Sequence, residues 1–301
     1  MIDDYKKNSM LIKKFSDKIF GHGCIIFPKN NNNLSNLDIK KISNIFKEKG
    51  FILFRNFRFQ KEKITFFTDK FTKKYANDAY RRFSKFNNKN IKTVDEGMKE
   101  MPLHSEASYS PSWPEIVWFY CNKAPKKSGF TTICDGKMVY KNLKLKTKEF
   151  FLANQIIYNL KIPFGLKKKK VKKNLKKWII DSPGVFDCKI DLNNKEIYLK
   201  QKRYGVVKVR DTNELAFVNH LQIILNRDPQ VLNIKIENFK KIPKTISDDY
   251  KNICSKFTEK IFWKNGDLVM IDNKRLMHGR TKILNNDKRD IVNIQSLETY
   301  F

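Results

Sequence analysis

The chain has 301 residues, and with 41% hydrophobic and 13% aromatic residues it carries enough apolar material for a sizeable core, which excludes intrinsic disorder. No stretch approaches the roughly 18 apolar residues of a spanning helix, and the N-terminus mixes Asp3, Asp4, Lys6 and Lys7 with apolar residues instead of forming a secretory h-region, so a cytoplasmic protein without membrane contact is expected. The formal charge of +31, from 62 Lys and Arg against 31 Asp and Glu, is Lys-dominated; base and phosphate readers lean on Arg, so compositional bias is favoured over specific nucleic-acid binding.

In chain order, the apolar spacing of Leu37, Ile39, Ile42, Ile45 and Phe46 predicts an amphipathic helix over 37–49, ended by Gly50. A buried strand over 51–57 and a second amphipathic helix over 60–75 follow. Residues 115–121 read as a buried strand, and Lys127-Ser128-Gly129 as a turn into a strand at 131–134. Helices are expected over 145–160, 213–226 and 245–260, a hairpin around 203–205, and a solvated run over 167–177, where eight of eleven residues are Lys. Three short strands close the chain at 268–271, 276–279 and 291–296. The alternation predicts an α+β chain on a β-sandwich or jelly roll. The five cysteines are widely spaced with no C-x-x-C pair, which predicts free thiols.

Only four histidines occur: His22, His104, His220 and His278. His22, beside two glycines, reads as a loop residue. His104-Ser105-Glu106 has the H-x-E spacing that on a strand puts both side chains on one face. With a histidine from a distant strand it would complete a 2-His-1-carboxylate triad, which suits Fe(II) and leaves positions open. The H-x-E spacing arises readily by chance, so the weight falls on its partners. Gly266-Asp267 enters a buried strand that leads to His278, and eleven residues later comes Arg289, a planar fork able to clamp a carboxylate.

These residues resemble the iron(II)/2-oxoglutarate-dependent oxygenases of the TauD/TfdA superfamily. The resemblance runs through Gly50-Phe51-Ile52-Leu53-Phe54-Arg55-Asn56-Phe57, His104-Ser105-Glu106-Ala107-Ser108-Tyr109, Trp113-Pro114, Ser128-Gly129-Phe130-Thr131, Gly266-Asp267, His278 and Arg289. The H-x-E form is similar to the subgroup of the syringomycin-pathway amino acid hydroxylase and the clavaminate synthase-like enzymes. The resemblance implies a double-stranded β-helix (jelly roll) core with flanking helices, in one domain over 1–301 with a helical, Lys-rich insertion around 141–226. It implies that His104, Glu106 and His278 bind Fe(II), and that Arg289 and Thr131 hold 2-oxoglutarate, the cosubstrate used with O2. Two positions depart from the pattern. Phe130 replaces the acidic or polar residue usual before the threonine, and Asn293 stands where sulfonate-using members carry a second arginine, which argues against taurine.

Hydroxylation of an unactivated C–H in a small molecule is the implied activity, with succinate and CO2 released. A carboxylate at Glu106, where halogenases have a small residue, argues against halogenation; desaturation and cyclisation stay open. The substrate is read as an amino acid or acyl group, free or tethered to an acidic carrier protein, and a homo-oligomer is compatible with the sequence. Tyr109, Asn219, His220 and Arg280 are candidate substrate contacts; for each, a packing or ion-pair role is the competing reading. Two other functions are weighed: a nucleic-acid-directed oxygenase or demethylase, and a non-catalytic jelly-roll binding protein.

Overall fold

A computed structural model of the chain describes residues 10–16, 23–29, 33–76, 82–94, 97–163, 184–224, 232–236, 242–284 and 287–301. His22 and the Lys-rich run at 167–177 lie outside them.

The first helix, Ile39–Lys49, begins two residues after Leu37 because Asp38 caps it, its carboxylate accepting from Lys41 N–H at 3.1 Å. Gly50 ends it at φ +70°, and a Cβ there would lie 2.7 Å from Leu276 Cδ1, so both the turn and the packing require glycine. The helix buries Ile42 and Phe46.

Among the described residues, nine strands form one large sheet. Its centre is Cys24–Pro28, Phe51–Phe54, Leu268–Asp272, Ile116–Lys123 and Asp290–Thr299, in that spatial order. The continuous apolar runs in 51–54 and 116–121 have a simple cause: both faces are covered. On one face, Ile52, Phe54, Trp118, Met270 and Val292 pack against Ile42 and Phe46 of the helix and against Phe67 and Phe71. On the other, Leu53, Val117, Phe119 and Ile271 pack against Ile133, Ile261 and Leu276. These last three belong to a smaller antiparallel sheet of Glu259–Ile261, Thr131–Asp135, Leu276–Arg280 and Met101–His104. Helices Gly136–Asn142, Leu145–Ala153 and Lys244–Phe257 bury Val139, Phe151, Ile246 and Tyr250 in a core shared with Cys134 and Met277 of that sheet. The architecture is α+β, with two sheets face to face.

Several expected elements differ. Residues 60–75 give a 3-10 turn at Lys61–Lys63 and an α-helix at Ile64–Thr68; Thr72–Tyr75 is a strand paired with Asp290–Thr299, where Thr72 Oγ1 meets Ser296 Oγ at 2.6 Å. Tertiary pairing overrides the apolar periodicity there. The helix expected over 145–160 stops at Ala153, and Ile156, Tyr158 and Leu160 are buried in alternation along the strand Gln155–Pro163. No hairpin forms around 203–205: Glu196–Tyr204 pairs with Gln155–Pro163, whereas Val206–Lys208 pairs with Leu215–Phe217. Of 213–226, only Leu221–Ile224 is helical among the described residues. Among the described residues of 141–226, helices Leu145–Ala153 and Leu221–Ile224 stand beside the strands Gln155–Pro163, Val185–Asp191 and Glu196–Tyr204, which form a four-stranded sheet with Leu232–Ile236. All five cysteines are free. No helix of the described residues is long and apolar enough to cross a membrane.

Candidate functional site

The strand Met101–His104 ends at His104, which lies directly opposite His278 in the small-sheet ladder, with ring centroids 4.4 Å apart. His104 Nδ1 is 2.9 Å from the Pro102 carbonyl. A carbonyl only accepts, so Nδ1 carries the hydrogen and Nε2 is left with its lone pair. Burial, with His278 and His220 close by, holds His104 well below the usual histidine range, so the ring is neutral at neutral pH.

Glu106 does not share that strand, contrary to the same-face expectation. It lies in the turn that follows, and the next residue, Ala107, adopts φ +51°. The turn is pinned from the loop between two core strands: Glu106 N–H donates to Asn273 Oδ1 at 2.8 Å, while Asn273 Nδ2 donates to the carbonyls of Glu106 at 3.0 Å and Pro114 at 2.9 Å. Ser105 Oγ donates to the Asn273 carbonyl at 2.6 Å and accepts from Trp113 Nε1 at 2.8 Å. The carboxylate is thereby delivered to the histidine pair. Burial pushes the Glu106 carboxyl up, but the Arg82 guanidinium and the two imidazoles outweigh it and hold the group well below the usual range. Arg82 donates to Glu106 Oε2 at 2.9 Å.

His278 sits in the middle of Leu276–Arg280, with Nε2 3.8 Å from Glu106 Oε2, too long for a hydrogen bond. Its Nδ1 is buried without a hydrogen-bond partner. One donor atom from each of His104, Glu106 and His278 lies within 4.8 Å of the others. Two imidazoles and one ionised carboxylate gathered this closely fit a divalent transition metal.

A cavity above this cluster is lined by Arg82, Met101, Phe119, Thr131, Arg280 and Arg289 among others. Arg289 Nε and Nη1 are buried with no partner, and burial, helped by Arg280 nearby, brings its guanidinium down to about 10, still charged at neutral pH. An unpaired buried cation is costly, so Arg289, unpartnered at these two nitrogens among the described residues, could receive an anion. Thr131 Oγ1 accepts from Trp263 Nε1 at 3.0 Å, which leaves its own hydroxyl hydrogen to donate elsewhere. Arg280 shares the strand of His278 and reaches the cavity, but its guanidinium donates to the carbonyls of Gly97 and Lys99, so it ties down that segment.

The remaining substrate candidates do not line the cavity. Asn219 donates to the Gly205 carbonyl at 3.2 Å and accepts from Leu221 N–H at 3.1 Å, a turn-and-cap role. His220 packs edge-on against His104 at 5.1 Å and against Tyr109 at 4.5 Å, with Nδ1 3.1 Å from the Ser105 carbonyl. Both His220 and Tyr109 thus support the site from behind. Asp267, part of the Gly266-Asp267 motif, is structural: Arg55 meets its two oxygens at 3.0 and 2.6 Å. Two residues of the site escape sequence reading. Asn273 reads as an ordinary turn asparagine, and Arg82 belongs to no motif.

The model of the taurine catabolism dioxygenase TauD, TfdA family matches residues 13–295. A curated relative, 3-((Z)-2-isocyanoethenyl)-1H-indole synthase of Fischerella ambigua (strain UTEX 1903), is 21% identical over 199 residues. That match takes in 65% of this chain and spans 63% of the relative's length. Among solved structures, PvcB from Pseudomonas aeruginosa superposes with a TM-score of 0.64 at 13% identity, covering 96% of this chain and 92% of PvcB. A second PvcB structure, described as an Fe, alpha-ketoglutarate dependent oxygenase from an isonitrile synthetic pathway, gives 0.62 at 13% identity, with the same coverage of 96% and 92%.

Proposed function

The chain belongs to the taurine catabolism dioxygenase TauD, TfdA family, and from that premise we propose that it is an Fe(II)- and 2-oxoglutarate-dependent oxygenase of a small molecule. His104, Glu106 and His278 hold the iron, and Arg289 with Thr131 takes the far carboxylate of 2-oxoglutarate. The observation that carries this reading is the convergence of three donor atoms within 4.8 Å beside a cavity-lining guanidinium with two unpartnered nitrogens.

Held by His104, Glu106 and His278, with the keto acid beside Arg289 and Thr131, a ferrous ion would supply dioxygen activation for oxidation of a substrate C–H, with succinate and CO2 as by-products. The protein's part is binding and aim. The Pro102 carbonyl fixes the His104 tautomer, so Nε2 is ready to ligate. Glu106, kept ionised by Arg82, can ligate without first losing a proton. Arg289 supplies N–H donors and Thr131 a hydroxyl donor on the same cavity wall, a pairing suited to a carboxylate. A carboxylate at Glu106, rather than a small side chain, favours hydroxylation over halogenation.

The face-to-face sheets support a double-stranded β-helix (jelly roll) in a single domain over 1–301, with an insertion around 141–226. A charge of +31 suits either a free anionic metabolite or one tethered to an acidic carrier protein in the cytoplasm. Isonitrile-bearing small molecules are the first substrates to try, because that group appears in the names of the curated relative and of one structural neighbour.

The test is anaerobic binding of Fe(II), then of 2-oxoglutarate, followed by substrate-dependent succinate release in air. Binding of both, and succinate formation stimulated by one of the offered compounds, is expected. A folded protein that binds neither overturns the proposal.

A further inference from the structure

Glu106 is clamped at its backbone by Asn273, but its carboxylate needs a separate anchor. Its terminal torsion is broad, and the site is dry enough that an unpaired carboxylate is costly. The anchor is Arg82. One arm donates to Glu106 Oε2 at 2.9 Å, and the other donates to Asn293 Oδ1, also at 2.9 Å. Asn293 is fully buried; it accepts a second hydrogen bond from Gln295 Nε2 at 2.9 Å and donates to the Trp118 carbonyl at 3.3 Å. Both lone pairs of its amide oxygen are therefore taken, and the amide cannot turn without losing partners. Asn293 and Trp118 belong to the large sheet, whereas Glu106 follows a strand of the small one. The guanidinium is a planar strut spanning the gap between the two sheets at the mouth of the cavity.

We infer that Arg82 is the positioning residue of the metal centre: held by Asn293, it sets the rotation of the Glu106 carboxylate so that one oxygen stays hydrogen-bonded while the group faces His278. The inference rests on the proposed metal site and deepens it. It also accounts for Asn293. An arginine in that strand position would bring a second cation against Arg82, whereas an amide carbonyl receives the guanidinium. Lysine cannot replace Arg82, because a point ammonium does not span two acceptors on opposite sheets.

The test is anaerobic titration of the whole protein with Co(II), a spectroscopically visible substitute for Fe(II), without 2-oxoglutarate or substrate. Arg82→Gln is expected to weaken Co(II) binding roughly 10–100-fold, the usual effect of losing an outer-shell partner of a ligand, and to change the ligand-field spectrum at saturation. Arg82→Lys should recover only part of the affinity. Asn293→Ala, which keeps the guanidinium but frees its far arm, should change the spectrum in the same direction and serves if Arg82→Gln does not fold. Wild-type-like Co(II) affinity and spectrum in folded Arg82→Gln would overturn the inference and leave the metal site standing. No Co(II) binding by the folded wild type would remove the metal site itself, and this inference with it.

Discussion

The side-chain amide of Asn273 closes a two-way hydrogen-bonded ring on the backbone of Glu106, accepting from its N–H at 2.8 Å and donating to its carbonyl at 3.0 Å. Asn273 is itself fully buried, in the short connection between Leu268–Asp272 and Leu276–Arg280. The residue that turns the chain towards His278 thus also delivers the acid to it.

Asn273→Ala strands the Glu106 N–H and the carbonyls of Glu106 and Pro114 without partners. Each buried unsatisfied group costs about 1–3 kcal/mol, so a loss of at least ~3 kcal/mol is expected from the urea midpoint of the metal-free protein. A loss below ~1 kcal/mol would mean that water or another group takes over the clamp.

Arg289→Gln should leave Co(II) affinity near wild type and weaken 2-oxoglutarate binding by roughly 10–100-fold, the equivalent of losing one charge-assisted pair. Anaerobic titration of the metal-loaded protein measures it. Unchanged 2-oxoglutarate affinity would assign Arg289 to another anion.

Gly129 lies at φ +69°, and a Cβ there would meet Ile283 Cγ1 at 2.9 Å and Arg289 Cδ at 3.2 Å. Gly129→Ala is expected to displace Arg289 as well as strain the turn, so 2-oxoglutarate affinity should fall together with thermal stability. A stability loss with full 2-oxoglutarate affinity would show that the displacement stays away from the guanidinium.

Asp287, two residues before Arg289, accepts from the N–H groups of Lys126, Lys127 and Ser128. The Lys126 N–H bond, joined by those of Lys127 and Ser128, outweighs desolvation and draws its carboxyl down to about 2. A depressed folded-state value means that its stabilisation is complete above the ordinary carboxylate value of 3.8 and is lost as pH falls towards 2. Asp287→Asn should therefore flatten the stability profile in that window and leave the profile above pH 5 parallel to wild type. An acid limb identical to wild type would count against this anchor.

The site was legible in the sequence to the extent that it lies in short patterns. His104, Glu106 and His278 are marked by an H-x-E spacing and a turn into a buried strand, and Arg289 by its distance from His278; the structure gathers the first three into one cluster and places Arg289 in the cavity wall. What was missed is held by long-range contacts. Asn273 is 167 residues from Glu106, and Arg82 is 211 from Asn293, and neither partnership leaves a periodic trace. Glu106 was expected on the strand because alternation alone cannot register the left-handed Ala107 that follows it. Residues 155–160 read as the end of a helix, although they lie in the strand Gln155–Pro163, because Ile156, Ile157, Tyr158 and Leu160 satisfy either period over a short window.

Because His104 and His278 stand opposite one another in neighbouring strands, a one-residue slip would turn one ring away from the other. The pairing register of two strands and the meeting of the two imidazoles are therefore specified together.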